Sequence, residues 1–222
     1  TGRCFFRDAQ GEPVAGFRQP WKLTALAYGT AFPEQWGCAA RNVDFFDLKG
    51  ELERVLAPRT ASFEKALHPA LHPGRSARIV VDGQVIGVVG ELHPRWQQKY
   101  ELPLAPVLFE VDVDAIVVAG LPHYAEVSRQ PPVIRDMAIV VDQALELQRL
   151  IDGMIANRPE IVREINLFDV YVGRGVEAGK KSLAFRIMMQ DTRKTLQEVE
   201  VDSAMQHLVA YLQETFAAQL RV

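Results

Sequence analysis

Three runs of sequence decide the fold of the C-terminal half: RDMAIVVD (Arg135–Asp142), LFDVYVG (Leu167–Gly173) and KKSLAFRIMMQ (Lys180–Gln190). Each run is rich in apolar and β-branched residues, which favours a strand. A helical pattern separates the first run from the second, and another follows the third. The order β-α-β-β-α predicts an antiparallel sheet with two helices on one face. The other face would stay open, and open sheet faces commonly bind RNA.

Two amphipathic helices are expected to cover this sheet. Apolar residues recur at helical spacing over Leu147–Ile155 and again over Met205–Phe216. Thr195 and Glu198 have the spacing of a capping box, and Asp202 is an alternative start for the second helix. Both apolar stripes are typical of core-facing helices.

The composition fits an ordinary α+β protein of one large or two small domains. The chain has 222 residues, a net charge of −3 and two cysteines far apart. This balance excludes a strong global attraction to nucleic acid, so any RNA contact must use a local patch. The two cysteines indicate a reducing compartment. No signal peptide or run of eighteen apolar residues is present, so we expect a cytoplasmic protein without a membrane partner.

A domain boundary is expected at Ala119–His123, where Gly120 and Pro122 interrupt an apolar run. This boundary predicts one domain over residues 1–118 and another over residues 123–222. The chain starts at Thr1 without a methionine, so we expect it to be part of a longer protein.

A hairpin gives the clearest signal in the first domain. It covers Ala77–Pro94, with Asp82-Gly83 as a two-residue turn. Lys22–Gly29 and Val107–Asp114 are predicted strands, and Pro94–Tyr100 is a predicted short helix. A second helix is expected over Asp47–Leu56, with Asp47 as N-cap. Its apolar face would carry Leu48, Leu52, Val55 and Leu56. The pattern favours a mixed sheet with few helices, as part of a larger antiparallel α+β domain.

No residue is predicted to be catalytic or to bind metal. His68 and His72 are four residues apart, but each precedes a proline, which prevents one regular helix face from presenting both. GRGVEAGKKS (Gly173–Ser182) only superficially resembles a phosphate loop. It has Arg174 in place of the first glycine, and it joins two strands. The favoured interpretation is an exposed basic hairpin.

Strand alternation predicts which residues face the helices and which face outward. The residues expected to face the helices are Met137, Ile139, Val141, Phe168, Val170, Val172, Leu183, Phe185, Ile187 and Met189. The open face would carry Asp136, Leu167, Asp169, Tyr171, Ser182 and Arg186, with Arg135, Arg174, Lys180 and Lys181 at its rim. An aromatic ring flanked by cations can stack a base and hold its phosphate. The alternative interpretation is a solvated surface with an Asp169–Arg186 ion pair.

Several runs in order along the chain resemble the beta subunit of bacterial phenylalanyl-tRNA synthetase. They are VDFFDLKGELE (Val43–Glu53), LHPGRSA (Leu71–Ala77), VIGVVGELHP (Val85–Pro94), RQPPVIRDMAIVVD (Arg129–Asp142), LFDVYVG, GKKSLAFRI (Gly179–Ile187), TLQEVEVD and the final LR. These runs extend over essentially the whole chain, so the resemblance is specific.

The resemblance implies an α2β2 enzyme that joins phenylalanine to tRNA-Phe with ATP and Mg²⁺, and whose alpha subunit holds the active site. Residues 1–118 resemble the later part of a non-catalytic class II synthetase-like domain. Residues 123–222 resemble a ferredoxin-fold anticodon-binding domain, a two-layer sandwich. Arg129 lies in a matching run and joins the RNA-binding candidates. No cofactor is expected to bind this chain itself.

Three functions compete on the sequence alone. The first is an RNA-binding and scaffolding portion of a tRNA ligase. The second is a free-standing ferredoxin-like module whose sheet binds protein rather than RNA. The third, an independent acyl-adenylate-forming enzyme, is disfavoured because no pair of ATP-binding arginine motifs is present.

Overall fold

The computed structural model describes residues 1–11, 13–117, 124 and 127–221. The chain forms two compact units, Thr1–Leu121 and Pro122–Val222. The boundary expected at Ala119–His123 lies outside the described residues. No described helix is long and apolar enough to cross a membrane.

The first unit contains a six-stranded antiparallel sheet, a small three-stranded sheet and three helices. Its strands are β1 (Gly2–Arg3), β2 (Phe6–Arg7), β3 (Pro13–Val14), β4 (Phe17–Arg18), β5 (Trp21–Ala27), β6 (Ala61–Lys65), β7 (Leu71–Val81), β8 (Gln84–Leu92) and β9 (Val107–Asp112). Its helices are α1 (Phe45–Leu56), α2 (Pro94–Lys99) and α3 (Val113–Val117). The large sheet has the order β1-β5-β9-β8-β7-β6, and the small one has the order β2-β4-β3.

The predicted hairpin is confirmed as β7 and β8. Asp82 and Gly83 form its turn, and both have positive φ, 51° and 76°, as a type I′ turn requires. Gly87 has a second local role on β8, because a Cβ there would lie 2.1 Å from the carbonyl oxygen of Glu110. Glycine at position 87 therefore allows β8 to pack closely against β9.

Helix α1 begins earlier than the sequence predicted, with Asp44 rather than Asp47 as its N-cap. The Asp44 carboxylate accepts hydrogen bonds from the backbone N–H groups of Phe46 and Asp47. The Asp47 carboxylate accepts in return from the Asp44 N–H at 2.9 Å. Two aspartates three residues apart thus complete a capping box. The choice of Asp47 was wrong because it is the third residue of the helix.

The buried face of α1 packs on the large sheet. Leu48, Leu52 and Leu56 are buried, as predicted, against strand residues that include Val89 and Phe109. Val55 was also expected on this face and is instead exposed. The large sheet therefore has one face covered by α1 and an apolar core between them.

The second unit is a β-α-β-β-α-β sandwich. Its elements are β10 (Val133–Asp142), α4 (Leu147–Ala156), β11 (Val162–Tyr171), β12 (Lys180–Met189), α5 (Glu198–Phe216) and β13 (Gln219–Leu220). The strand order is β11-β12-β10-β13, and every neighbouring pair is antiparallel. This is the ferredoxin-like arrangement. The five predicted elements are present, although β11 starts at Val162, and β13 is an additional strand that the sequence pattern did not reveal.

The core of the second unit confirms most of the predicted alternation. On β10 and β12, the residues expected to face the helices are all buried: Met137, Ile139, Val141, Leu183, Phe185, Ile187 and Met189. The helices contribute buried residues to the same cluster: Leu150, Met154, Val201, Ala204, Leu208 and Leu212.

The start of α5 differs from both sequence-based alternatives. The helix begins at Glu198 after Gln197, and the Glu200 carboxylate accepts a hydrogen bond from the Gln197 N–H at 3.0 Å. Thr195 instead bonds through its hydroxyl to the Gln130 side chain at 2.8 Å. The expected starts at Thr195 and Asp202 were therefore wrong.

Asp47 gives a pH-dependent test of this fold. The Arg41 guanidinium donates two 2.6 Å hydrogen bonds to it. Together with the Asp44 N–H, Arg41 lowers the pKa of Asp47 from 3.8 to about 2. Asp47→Asn is expected to reduce the free energy of unfolding at pH 7 by about 1 kcal/mol, the ordinary cost of weakening a helix cap. Because the folded pKa is depressed, Asp47 stabilises the fold fully above pH 4 and progressively less as the pH falls towards 2.

Urea unfolding of both proteins between pH 7 and pH 3 measures this difference. Glu51→Gln is the control, because Glu51 lies on the same helix in an exposed ion pair with Arg54. If Asp47→Asn loses the same free energy of unfolding at every pH in this range, the lowered pKa of Asp47 in the folded protein would be contradicted.

Candidate nucleic-acid interface

A β-bulge in β11 controls which side chains reach the open face of the second unit. Leu167 lies opposite Phe185, but the next pair is Asp169 opposite Ala184, so Phe168 is an extra residue. A bulge of this kind breaks the simple two-residue alternation of a strand. Beyond it, Tyr171 lies opposite Ser182, on the face away from the helices.

The bulge reverses two orientations that the sequence predicted. Leu167 was expected to face outward, but it packs against the helix-covered core. Phe168 was expected to face inward, but 53% of it is exposed, and the Arg186 guanidinium lies over its ring at 5.1 Å. Val170 lies opposite the buried Leu183, on the helix side as predicted, although both Val170 and Val172 are more than half exposed. The open face therefore carries a second aromatic ring, which strand alternation missed.

Tyr171 faces outward as predicted and is 38% exposed. Its hydroxyl donates a hydrogen bond to the backbone oxygen of Arg174 at 3.1 Å. The Arg221 guanidinium lies 5.6 Å from the centre of its ring. The ring is thus held at both its polar tip and its aromatic face.

Arg186 lies on the open face but carries little free charge. Its Nε and Nη2 atoms donate to the two carboxylate oxygens of Asp136, each at 2.9 Å. These bonds lower the pKa of Asp136 and raise that of Arg186. The residues lie directly opposite each other on β10 and β12. The sequence-based alternative paired Arg186 with Asp169, and the structure gives Asp136 as the partner.

Two candidates on β12 are less accessible than expected. Ser182 occupies the outward side of the strand, but only 4% of it is exposed. Lys181 lies opposite the buried Val141, which places it on the helix side. Its ammonium donates to the Leu145 backbone oxygen at 2.6 Å, and burial lowers its pKa. The expectation that Lys181 lies at the rim of the open face was therefore wrong.

The remaining cationic candidates differ in their partners. Arg135 lies opposite the buried Ile187 and pairs with Glu198 at 2.5 Å, so it too faces the helix side, contrary to the prediction. Lys180 pairs with Glu177 at 2.6 Å. Arg129 and Arg174 are exposed, and neither forms an ion pair with any described residue.

The histidines of the first unit serve local turns. In each of His68, His72 and His93, the Nδ1 atom accepts a hydrogen bond from the backbone N–H two residues later. Within the described ranges, no group of three or more His, Cys, Asp or Glu residues is arranged to hold a metal ion. The Gly173–Ser182 run joins β11 to β12, as predicted for a hairpin.

Comparison with known proteins gives two family matches that together cover nearly all of the chain. The phenylalanyl tRNA synthetase beta chain CLM domain matches residues 1–113, slightly more than half of the sequence. The ferredoxin-fold anticodon binding domain matches residues 128–221. The chain belongs to the phenylalanyl-tRNA synthetase beta chain family. The match over its second unit agrees with the observed sandwich, and the resemblance inferred from sequence is confirmed.

Curated relatives support the same conclusion. The phenylalanine–tRNA ligase beta subunit of Dechloromonas aromatica strain RCB is 60% identical over 221 residues, covering 100% of this chain. That of Aromatoleum aromaticum is 53% identical over 99% of the chain, and that of Cupriavidus pinatubonensis is 49% identical over 100% of it. The chain spans only 28%, 28% and 29% of the length of these relatives, respectively.

Proposed function

We propose that this chain is the C-terminal portion of the beta subunit of a phenylalanine–tRNA ligase and that its second unit binds the anticodon region of tRNA-Phe. The observation that carries the proposal is the pair of exposed rings, Phe168 and Tyr171, on the open face of a ferredoxin-like sheet. The anticodon-binding family match covers the same unit. This match disfavours the alternative of a protein-interaction module without RNA.

The chemistry of the open face suits unstacked bases. Single-stranded bases stack on aromatic side chains, and each such contact contributes roughly 1–3 kcal/mol. Phe168 and Tyr171 both lie on β11, and a guanidinium lies close to each ring.

Of the candidates that the sequence suggested, we retain Tyr171, Arg174, Arg186 and the exposed Arg129 as RNA contacts. We assign Arg135, Lys181 and Ser182 to the structure of the unit, and Lys180 to its hairpin.

Removal of either ring should weaken tRNA binding. Tyr171→Ala and Phe168→Ala are each expected to raise the dissociation constant for tRNA-Phe by roughly tenfold, because each removes one stacking platform. Fluorescence anisotropy with a labelled tRNA-Phe transcript measures this change. Phe46→Ala is the matched control, since Phe46 is an exposed ring of the first unit. If both open-face variants bind tRNA-Phe as tightly as the unsubstituted chain and keep their melting temperatures, the open face is excluded as the RNA-binding surface.

For the first unit, we propose that residues 1–118 form the later part of a non-catalytic class II synthetase-like domain, with the anticodon-binding domain over 123–222. The six-stranded antiparallel sheet with α1 on one face supports this proposal. In the whole cytoplasmic α2β2 enzyme, the alpha subunit would use ATP and Mg²⁺ for catalysis. This chain would support that active site without binding a cofactor itself.

The chain alone is therefore expected to form no phenylalanyl-adenylate. An ATP–pyrophosphate exchange assay with phenylalanine tests this, with the assembled ligase as the positive control. ATP–pyrophosphate exchange activity that co-purifies with the chain, in a preparation without alpha subunit, would contradict the proposal that only the alpha subunit is catalytic.

We further propose that the first unit contacts the alpha subunit through exposed apolar side chains. Leu26 lies opposite Leu108 on the sheet face away from α1, and Leu26 is exposed. Trp36 is fully exposed, and Phe46 is largely exposed. Contiguous exposed apolar patches are typical of interaction surfaces, and we propose that these side chains belong to one.

Introduced charge should disrupt this contact. In the full-length beta subunit, Leu26→Glu combined with Trp36→Glu is expected to reduce recovery of the alpha subunit at least tenfold in co-purification, since buried unpaired carboxylates are costly. Val199→Glu is the control, because Val199 is an exposed apolar residue of the second unit. Full recovery of alpha with the double variant would show that the interface lies elsewhere.

A further inference from the structure

Arg221 occupies a position that links the two edges of the second unit. Its backbone N–H donates to the Ala138 oxygen at 2.8 Å, which extends the pairing of β13 with β10. Tyr171 lies on β11, at the opposite edge of the four-stranded sheet. The 5.6 Å separation between the Arg221 guanidinium and the Tyr171 ring therefore requires both side chains to reach inward across the open face. Ser182, opposite Tyr171 on β12, is buried, as expected for a residue beneath this contact.

Charge on the open face distinguishes Arg221 from Arg186. A bidentate bond to Asp136 neutralises Arg186. Arg221 has no carboxylate within ion-pair distance among the described residues. Asp169 is the acidic residue nearest in sequence to Tyr171, and it likewise forms no ion pair with any described residue. The net positive charge beside Tyr171 therefore comes from Arg221, with the exposed Arg174 in the neighbouring hairpin.

A guanidinium over an aromatic ring keeps its hydrogen-bond donors available. A guanidinium at this distance from a ring can make a cation–π contact and still have N–H donors in its plane available for a further acceptor. That plane matches a phosphate oxygen pair well. The Arg221 side chain also reaches towards the β11–β12 hairpin, because a Cβ on Gly175 would lie 3.9 Å from its Nη2 atom. The donors therefore lie beside both the ring and the loop.

We propose that Arg221 both positions the Tyr171 ring and binds a phosphate of the RNA strand whose base stacks there. This inference rests on the proposed function of the open face. It assigns to the last described residue a phosphate contact that the sequence pattern had given to the hairpin cations Arg174, Lys180 and Lys181, of which Lys181 faces the helix side. Arg221 is thus a positioning and RNA-binding residue outside all the elements that the sequence predicted.

Salt dependence separates a phosphate contact from a structural role. The full 222-residue chain is titrated with labelled tRNA-Phe at several KCl concentrations. Arg221→Ala is expected to weaken binding roughly tenfold at low salt. It should also make the slope of log K against log [salt] shallower by about 0.7, the value for one phosphate of a single strand. Arg221→Lys should keep the slope, because the cation remains, but bind more weakly because an ammonium does not stack as a planar group.

Arg149→Ala is the matched control, because Arg149 is exposed on α4, in the helix layer of the same unit. Its salt slope should equal that of the unsubstituted chain. If the unsubstituted chain fails to bind tRNA-Phe, both the proposed function and this inference are contradicted. If the chain binds, Tyr171→Ala weakens binding and Arg221→Ala keeps the original slope, only the role of Arg221 is overturned.

Discussion

The pairing of β12 with its two neighbours is the constraint on which the second unit depends. On one side, β12 pairs with β10 over ten consecutive residue pairs without a break, from Val133–Met189 to Asp142–Lys180. This unbroken register places every second residue of both strands against α4 and α5. On the other side, β11 follows β12 with two irregularities. The core is therefore built on the regular β10–β12 pairing. The register shifts that expose the aromatic rings occur in the edge strand β11.

The placement of charge follows from the same ladder. Asp136 and Arg186 are direct cross-strand neighbours, so they pair on the open face and cancel much of each other's field. Lys181 and Arg135 fall on the opposite side of the same strands and bond to Leu145 and Glu198. A domain of balanced composition can thus present a small cationic area beside Tyr171. Such an area suits recognition of a short single-stranded segment better than tight, non-specific binding to long nucleic acid.

The sequence predicted most of the fold because hydrophobic periodicity and turn chemistry are local signals. Asp82-Gly83 identified its hairpin, and the alternation on β10 and β12 identified the core. The candidate site was harder to predict. The bulge at Phe168 left Leu167 facing the core and Phe168 facing outward, the opposite of the predicted orientations, and no residue in LFDVYVG marks the bulge. The two-residue strand β13 is too short for any periodic signal, so Arg221 had no predicted element to place it. The helix starts were predicted wrongly because residues able to cap a helix lie close together, Asp44 and Asp47 at α1 and Thr195, Gln197 and Asp202 at α5.

Photo-crosslinking tests the central claim most directly. Assembled enzyme containing this chain in its beta subunit would be irradiated with tRNA-Phe that carries a photoreactive base in the anticodon loop, and the crosslinked peptides would be mapped. The open-face account predicts crosslinks in β11 around Phe168 and Tyr171 and in the segment at Arg221. Crosslinks confined to the outer surfaces of α4 and α5 would contradict it.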